Sequence, residues 1–256
     1  MKVSIREGLF RIWYWYVNRV DKNAEVLFMN YGHCEGGAGI LLDEQNEPDR
    51  YSIQLYHQLV GGTQLKNKDI VEIGSGRGGG LYYLTKKFEP ATAKGIDLDH
   101  LAVTFCNRRY SLNGLSFFQG DAQKLKLESQ SCDVVINVES SHRYPDMPAF
   151  LSEVYRILRP GGFFLLTDFR YKDEMEDLKK ELAASGMSIQ RNSLINKQVI
   201  AALDSDDHRR RRLVEKLAPR FLRKLALNFA GTIGSETYNQ FLSGKYVYFN
   251  YIMKKS

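Results

Sequence analysis

An apolar run, Asp69-Ile-Val-Glu-Ile73, leads straight into Gly74-Ser-Gly-Arg-Gly-Gly-Gly80 and then into a helical pattern, and this junction constrains the fold more than any other feature. Glycine turns tightly with φ > 0 and lets the main chain approach a ligand that lies on a helix N-terminus. Gly74, Gly76 and Gly79 satisfy G-x-G-x-x-G, which is weak evidence alone. Asp97, in Lys94-Gly-Ile-Asp-Leu-Asp99, strengthens it. It follows by about 20 residues, where an α/β nucleotide site places a carboxylate to accept ribose hydroxyls.

The pattern around the loop alternates. Strands are expected at 70–73, 92–96, 115–118, 132–138 and 162–167, and helices near 79–88, 99–112, 146–158 and 172–185. Alternation implies parallel strands joined by right-handed crossovers, with a crevice outside their C-terminal ends where Gly74, Asp97, Asp121 and Glu139 gather. Lys245–Met253 reads as a final long strand. At 256 residues, 43% hydrophobic and 26% charged, the chain suits one α/β domain with extra segments. It shows no internal repeat, cleavable signal or unbroken apolar span, so secretion and membrane spanning are not expected and a cytoplasmic location is. Cys34, Cys106 and Cys132 are scattered without C-x-x-C spacing, which argues against structural zinc.

Two segments stand outside the alternation. Residues 1–66 read as an N-terminal helical cap on a domain spanning 67–256. Within it, Leu9–Val20 interleaves Phe10, Trp13, Tyr14, Trp15 and Tyr16 with Arg11 and Arg19, a pattern suited to packing on the domain or to contact with lipid or an apolar substrate. A helix is expected over Arg50–Leu59. The second segment, at about 190–242, reads as an inserted helical lid carrying His208-Arg-Arg-Arg-Arg212, then Leu213, Leu217, Phe221, Leu225 and Phe229 at helical spacing. Pro219 has to break or kink that helix. Much of the net charge of +6 falls near the lid, as a solvated face or as a docking surface for an anionic membrane or an acidic substrate. Nucleic acid is not expected, because no recognition motif accompanies the charge.

Four ordered motifs resemble the class I S-adenosylmethionine-dependent methyltransferases, continuously over roughly residues 65 to 172. Val71-Glu-Ile-Gly-Ser-Gly76 is similar to the first motif, including its acid, Glu72. Gly120-Asp-Ala122 after Leu115-Ser-Phe-Phe118 is similar to the third-strand motif, Ser131–Val138 to the fourth strand, and Leu158-Arg-Pro-Gly-Gly–Leu166 to the turn and fifth strand. The resemblance implies a Rossmann-like, doubly wound seven-stranded sheet, mostly parallel with the last strand antiparallel. It implies S-adenosylmethionine as cofactor, held by Glu72, Gly74, Ser75, Gly76, Asp97, Leu98, Gly120, Asp121, Ala122 and Asn137. Tyr31, in Phe28-Met-Asn-Tyr-Gly32, is carried over as a further cofactor or acceptor contact.

Methyl transfer is an in-line displacement that needs alignment, and a base when the acceptor is a hydroxyl. His142, in Asn137-Val-Glu-Ser-Ser-His-Arg-Tyr-Pro145, leaves the fourth strand at the acceptor position and is the candidate base, with Glu139 as its orienting partner or as an acceptor contact. Tyr14, His33 and Tyr144 are candidates for the substrate pocket. The 137–145 loop, Phe28–Gly32 and Gly234-Ser-Glu-Thr-Tyr238 also resemble bacterial phthiotriolone-type and related lipid or polyketide O-methyltransferases, which implies a hydrophobic acceptor bearing a hydroxyl and no protein-bound metal. Two alternatives stay open. One is a C-methyltransferase that stabilises a carbocation on a sterol or prenyl acceptor, and the other is a non-catalytic cofactor-binding scaffold on a membrane or partner. The sequence leaves the oligomeric state open.

Overall fold

A computed structural model describes residues 16–17, 19–21, 23–36 and 39–256. Tyr14 and most of the aromatic N-terminal segment lie outside the described residues. Seven strands form one sheet in the order β3-β2-β1-β4-β5-β7-β6. They are β1 Asp69–Ile73, β2 Thr92–Asp97, β3 Leu115–Gln119, β4 Cys132–Val138, β5 Leu158–Tyr171, β6 Met187–Leu194 and β7 Tyr246–Lys255. The first five run parallel, while β7 lies antiparallel to both β5 and β6.

Period-two alternation sorts the strand side chains between two cores. Ile70, Val134, Ile136 and Leu165 enter one, together with Leu81 and Leu84 of helix α2 (Gly79–Phe88) and Ile53 of helix α1 (Arg50–Val60). Val71, Ile73, Val135, Phe164 and Leu166 enter the other, against Phe150 and Val154 of helix α4 (Met147–Ile157) and Leu178 of α5 (Met175–Ala184). Helix α3 (His100–Arg109) starts where the Asp99 side chain accepts from Leu101 N–H, and α4 where Asp146 accepts from Ala149 N–H.

Three further α-helices lie between β6 and β7: α6 Asn196–Leu217, α7 Arg223–Phe229 and α8 Glu236–Leu242. Pro219 sits between α6 and α7, so the chain turns where proline cannot continue the helix. The reading of 190–242 as wholly helical needs one correction, because β6 occupies its first residues. Seven of the eight β6 residues are exposed, and only β7 pairs with it, so no apolar alternation marks it as a strand. Among the described residues, no helix is long and apolar enough to cross a membrane.

Three members of the arginine run are paired with carboxylates of the chain. Arg209 pairs with Asp206 and Asp49, and Arg211 with Asp207. Arg210 pairs with Asp206 and donates to the carbonyls of Asn30, Tyr31 and Ala230. The run therefore fastens α6 to α1 and to the irregular chain over 21–36.

Candidate active site

The C-terminal ends of β1, β2, β3 and β4 converge on a cleft of about 660 Å³. It opens where the order of crossovers reverses between β1 and β4, the place where doubly wound sheets take their ligands. Gly74, Ser75, Gly76, Asp97 and Leu98 line it from the first two strand ends, and Gly120, Asp121 and Ala122 from the third. Glu139, Ser140, Arg143 and Tyr144 close the side next to β4. Leu27, Phe28, Met29 and Asn30 cross its mouth.

The glycine loop has a steric reason at its first position. Gly74 has φ +76°, and a Cβ there would lie 2.0 Å from Ser140 Oγ. Asp97 accepts from Gly76 N–H at 2.8 Å and from Asp99 N–H at 2.9 Å, which ties β2 to the loop and aims a carboxylate at the cleft. Arg77 is the loop's one long side chain, and it points away. It is buried against Asp21 at 2.9 Å, donates to Val26 O at 2.6 Å and stacks over Phe105 at 3.7 Å. Asp21 also accepts from the N–H groups of Glu25 and Val26, so this pair pins the strap that leads into Leu27–Asn30.

Several residues named from sequence lie behind the lining. Glu72 is fully buried and accepts from Tyr56 Oη at 2.6 Å, and burial pushes its carboxyl up to about 8. It supports the loop from below. Asn137 donates to Ile73 O and Tyr144 Oη and accepts from Ser141 N–H, which braces the exit of β4. Tyr31 packs edge-on against Phe169 and Phe241 beside a second, smaller cavity of about 80 Å³ that shares Phe28, Met29, Asn30 and Phe229 with the cleft. His33 is buried at 3% exposure, with Nε2 3.7 Å from Glu35, and lines neither cavity.

His142 lines neither cavity and meets the cleft only through its neighbour Arg143, which does line it. Its Nδ1 is 2.7 Å from Asp168 Oδ1, and its backbone N–H donates to Asp168 Oδ2 at 2.9 Å. The partner of His142 is therefore Asp168 and not Glu139, whose Oε1 is taken by Tyr31 N–H and Tyr248 Oη, each at 2.6 Å. Asp168 was missed from sequence, although it lies near the C-terminal end of the next parallel strand and was open to the same strand-end reasoning. It is fully buried, and it also accepts from Ser141 Oγ and pairs with Arg170 at 3.1 Å.

These donors fix the tautomer. An ionised carboxylate only accepts, so Nδ1 carries the proton and Nε2 keeps its lone pair. Arg143 Nε donates to that Nε2 at 3.2 Å. Burial pushes the imidazole below its ordinary value against the opposing pull of Asp168. Burial alone would raise the Asp168 carboxyl, but the Arg170 charge and the hydrogen bonds from His142 and Ser141 hold it well below the usual range. The result is a neutral imidazole with a fixed proton and one basic nitrogen. Among the described residues, no group of three or more His, Cys, Asp or Glu is placed to hold a metal ion.

The architecture agrees with known proteins. Residues 71–166 match the family described as Methyltransferase domain. The chain is 39% identical over 224 residues to a fatty-acid O-methyltransferase of Mycolicibacterium smegmatis, covering 87% of this chain and 82% of that one. It is 36% identical over 253 residues to the phthiotriol/phenolphthiotriol dimycocerosates methyltransferase of Mycobacterium tuberculosis, covering 98% and 94%. The crystal structure of the cyclase SpnF superposes with a TM-score of 0.75 at 16% identity over 95% of this chain and 94% of that one, a likeness of fold alone. The chain belongs to the S-adenosylmethionine-dependent methyltransferases.

Proposed function

We propose that the chain methylates a hydroxyl of a hydrophobic small molecule of the lipid type, with His142 as general base and Asp168 as its positioning residue. The Nδ1 bond to Asp168 carries this reading, because it leaves a basic Nε2 whose one neighbouring donor, Arg143, lines the cleft. S-adenosylmethionine supplies an electrophilic methyl group when bound. The residues fit it: left-handed glycines offer main chain, while Asp97, Asp121 and Glu139 offer carboxylates to a ligand with ribose hydroxyls and positive charge. Gly74, Ser75, Gly76, Asp97, Leu98, Gly120, Asp121 and Ala122 would hold it. Glu72 and Asn137 would act from behind by fixing the loop and the β4 exit.

On this reading the strap over Leu27–Asn30, within the segment ahead of a methyltransferase domain spanning 67–256, and Phe229 of the helices near 190–242 close the acceptor side. Phe28, Met29 and Phe229 give that side an apolar wall shared with the smaller cavity, suited to a hydrocarbon chain. Arg143 swings off Nε2 when the hydroxyl arrives, and His142 takes the proton.

One observation favours a second acceptor chemistry. Arg143 lines the cleft beside His142, and a guanidinium matches a carboxylate better than an alcohol. A carboxylate needs no base, so the two readings separate cleanly. Purified wild type and His142→Ala, given S-adenosylmethionine with a long-chain alcohol or the matching fatty acid, are assayed for ether and ester by mass spectrometry. Ether formation that falls by about 10²-fold in the variant supports the base. Ester formation alone, indifferent to the substitution, sinks it.

A further inference from the structure

Glu139 is the one non-glycine residue among the acids lining the cleft that adopts a left-handed backbone, with φ +45°. Such strain persists where the surroundings over-determine a position, and it clusters at functional sites. Here the restraints are visible. The β4 ladder ends at Val138, Glu139 N–H donates to Thr167 O at 2.9 Å, and Oε1 receives both Tyr31 N–H and Tyr248 Oη at 2.6 Å. Two donors on one oxygen fix the carboxyl plane. No described residue donates to Oε2, and the residue is partly exposed to the cleft it lines.

A carboxylate held in this way, with one oxygen saturated and the other turned to a cavity, is a receptor for a cation. We propose that Glu139 reads the positive charge of the methyl donor and so separates S-adenosylmethionine from its demethylated product, which lacks the sulfonium. The inference rests on the cofactor reading of the cleft and deepens it. Product must leave for turnover to continue, and a binding term that vanishes with the sulfonium charge favours that exchange.

The surroundings make this recognition proton-linked. Burial is the main reason the carboxyl is pushed up to about 8; Asp168 adds to the rise, while the bonds from Tyr248 and Tyr31 and the charge of Arg210 oppose it. Near pH 7 the empty cleft therefore holds mostly the neutral acid, and a bound cation lowers its value and expels the proton. Affinity for S-adenosylmethionine then rises with pH up to about 8.

Titration calorimetry at pH 7 in phosphate and in Tris, whose ionisation enthalpies differ, counts the protons released. Wild type is expected to release a proton with S-adenosylmethionine and with sinefungin, which carries an amine in place of the sulfonium, and none with S-adenosylhomocysteine. Glu139→Gln is expected to abolish the release and to weaken both cationic ligands by about tenfold or more, with S-adenosylhomocysteine changed by less than about threefold. Equal loss for all three ligands, or the same proton count with product as with donor, overturns the proposal while leaving the cleft as a cofactor site. No heat from any of them in wild type overturns the cofactor reading and this inference together. The wild-type proton count decides the matter even where the variant fails to fold.

Discussion

Asp168→Asn is expected to lower methyl transfer to a hydroxyl acceptor by about 10²-fold or more while S-adenosylmethionine still binds near its normal affinity. The reason is the identity of the group facing Nδ1. A carboxylate only accepts, so it holds the proton on Nδ1, whereas the amide nitrogen of Asn donates and drives that proton to Nε2. The lone pair that would take the acceptor proton is then gone. A purely structural role has a different signature, because Asp168 also receives Ser141 Oγ, the N–H groups of His142 and Phe169, and the Arg170 guanidinium. If the substitution only loosened this cluster, the melting temperature would drop and calorimetry would show weaker cofactor binding in step with activity. A folded variant with intact cofactor binding and lost turnover supports the positioning role, and unchanged turnover removes it.

Asp21→Ala carries the largest expected effect on stability, about 3–5 kcal/mol in urea unfolding, because it leaves the enclosed Arg77 guanidinium without its carboxylate. Both side chains are shut off from solvent, and the N–H groups of Glu25 and Val26 lose their acceptor at the same time. The double variant Asp21→Leu with Arg77→Met is expected to recover much of the loss, since it removes both charges instead of stranding one. Because Arg77 belongs to the glycine loop and Asp21 to the strap, the single variant also weakens S-adenosylmethionine binding. A loss below about 1 kcal/mol, the range of surface ion pairs, would contradict this account of the pair.

The parts of the fold legible in sequence were those in which chemistry repeats. Strands β1 and β4 are buried on both faces, so their apolar runs stand out between polar turns, and the glycines after β1 mark the loop. Strand β6 was not legible, because Ser188-Ile-Gln-Arg-Asn-Ser193 is exposed along its length and owes its conformation to pairing with β7. The pairing of the arginine run was written at helical spacing, since Asp206 and Asp207 precede Arg209, Arg210 and Arg211 by three or four residues, but charge density alone does not show it.

At the site, the residues that touch the cleft were more legible than those that tune it. Gly74, Asp97 and Asp121 follow directly from strand ends. Glu72 and Asn137 carry the right motif positions yet act from beneath, because both faces of β1 and β4 are packed and each side chain is buried on its own face. Asp168 lies 26 residues from His142, and only the pairing of β4 with β5 brings them together. Arg143 next to His142 was read as part of a loop, while its contact with Nε2 depends on the short 3₁₀ turn over Ser141–Arg143.

The central claim is that a neutral His142, oriented by Asp168, takes the proton of a hydroxyl acceptor. The pH dependence of single-turnover methyl transfer to a long-chain alcohol, with S-adenosylmethionine saturating, tests it most directly. The account predicts a rate that rises with pH through one ionisation below 6.5, because burial lowers the imidazole, and then levels, with that ionisation absent in His142→Ala. A wild-type rate that is flat across this range, or an identical profile in the variant, would contradict it.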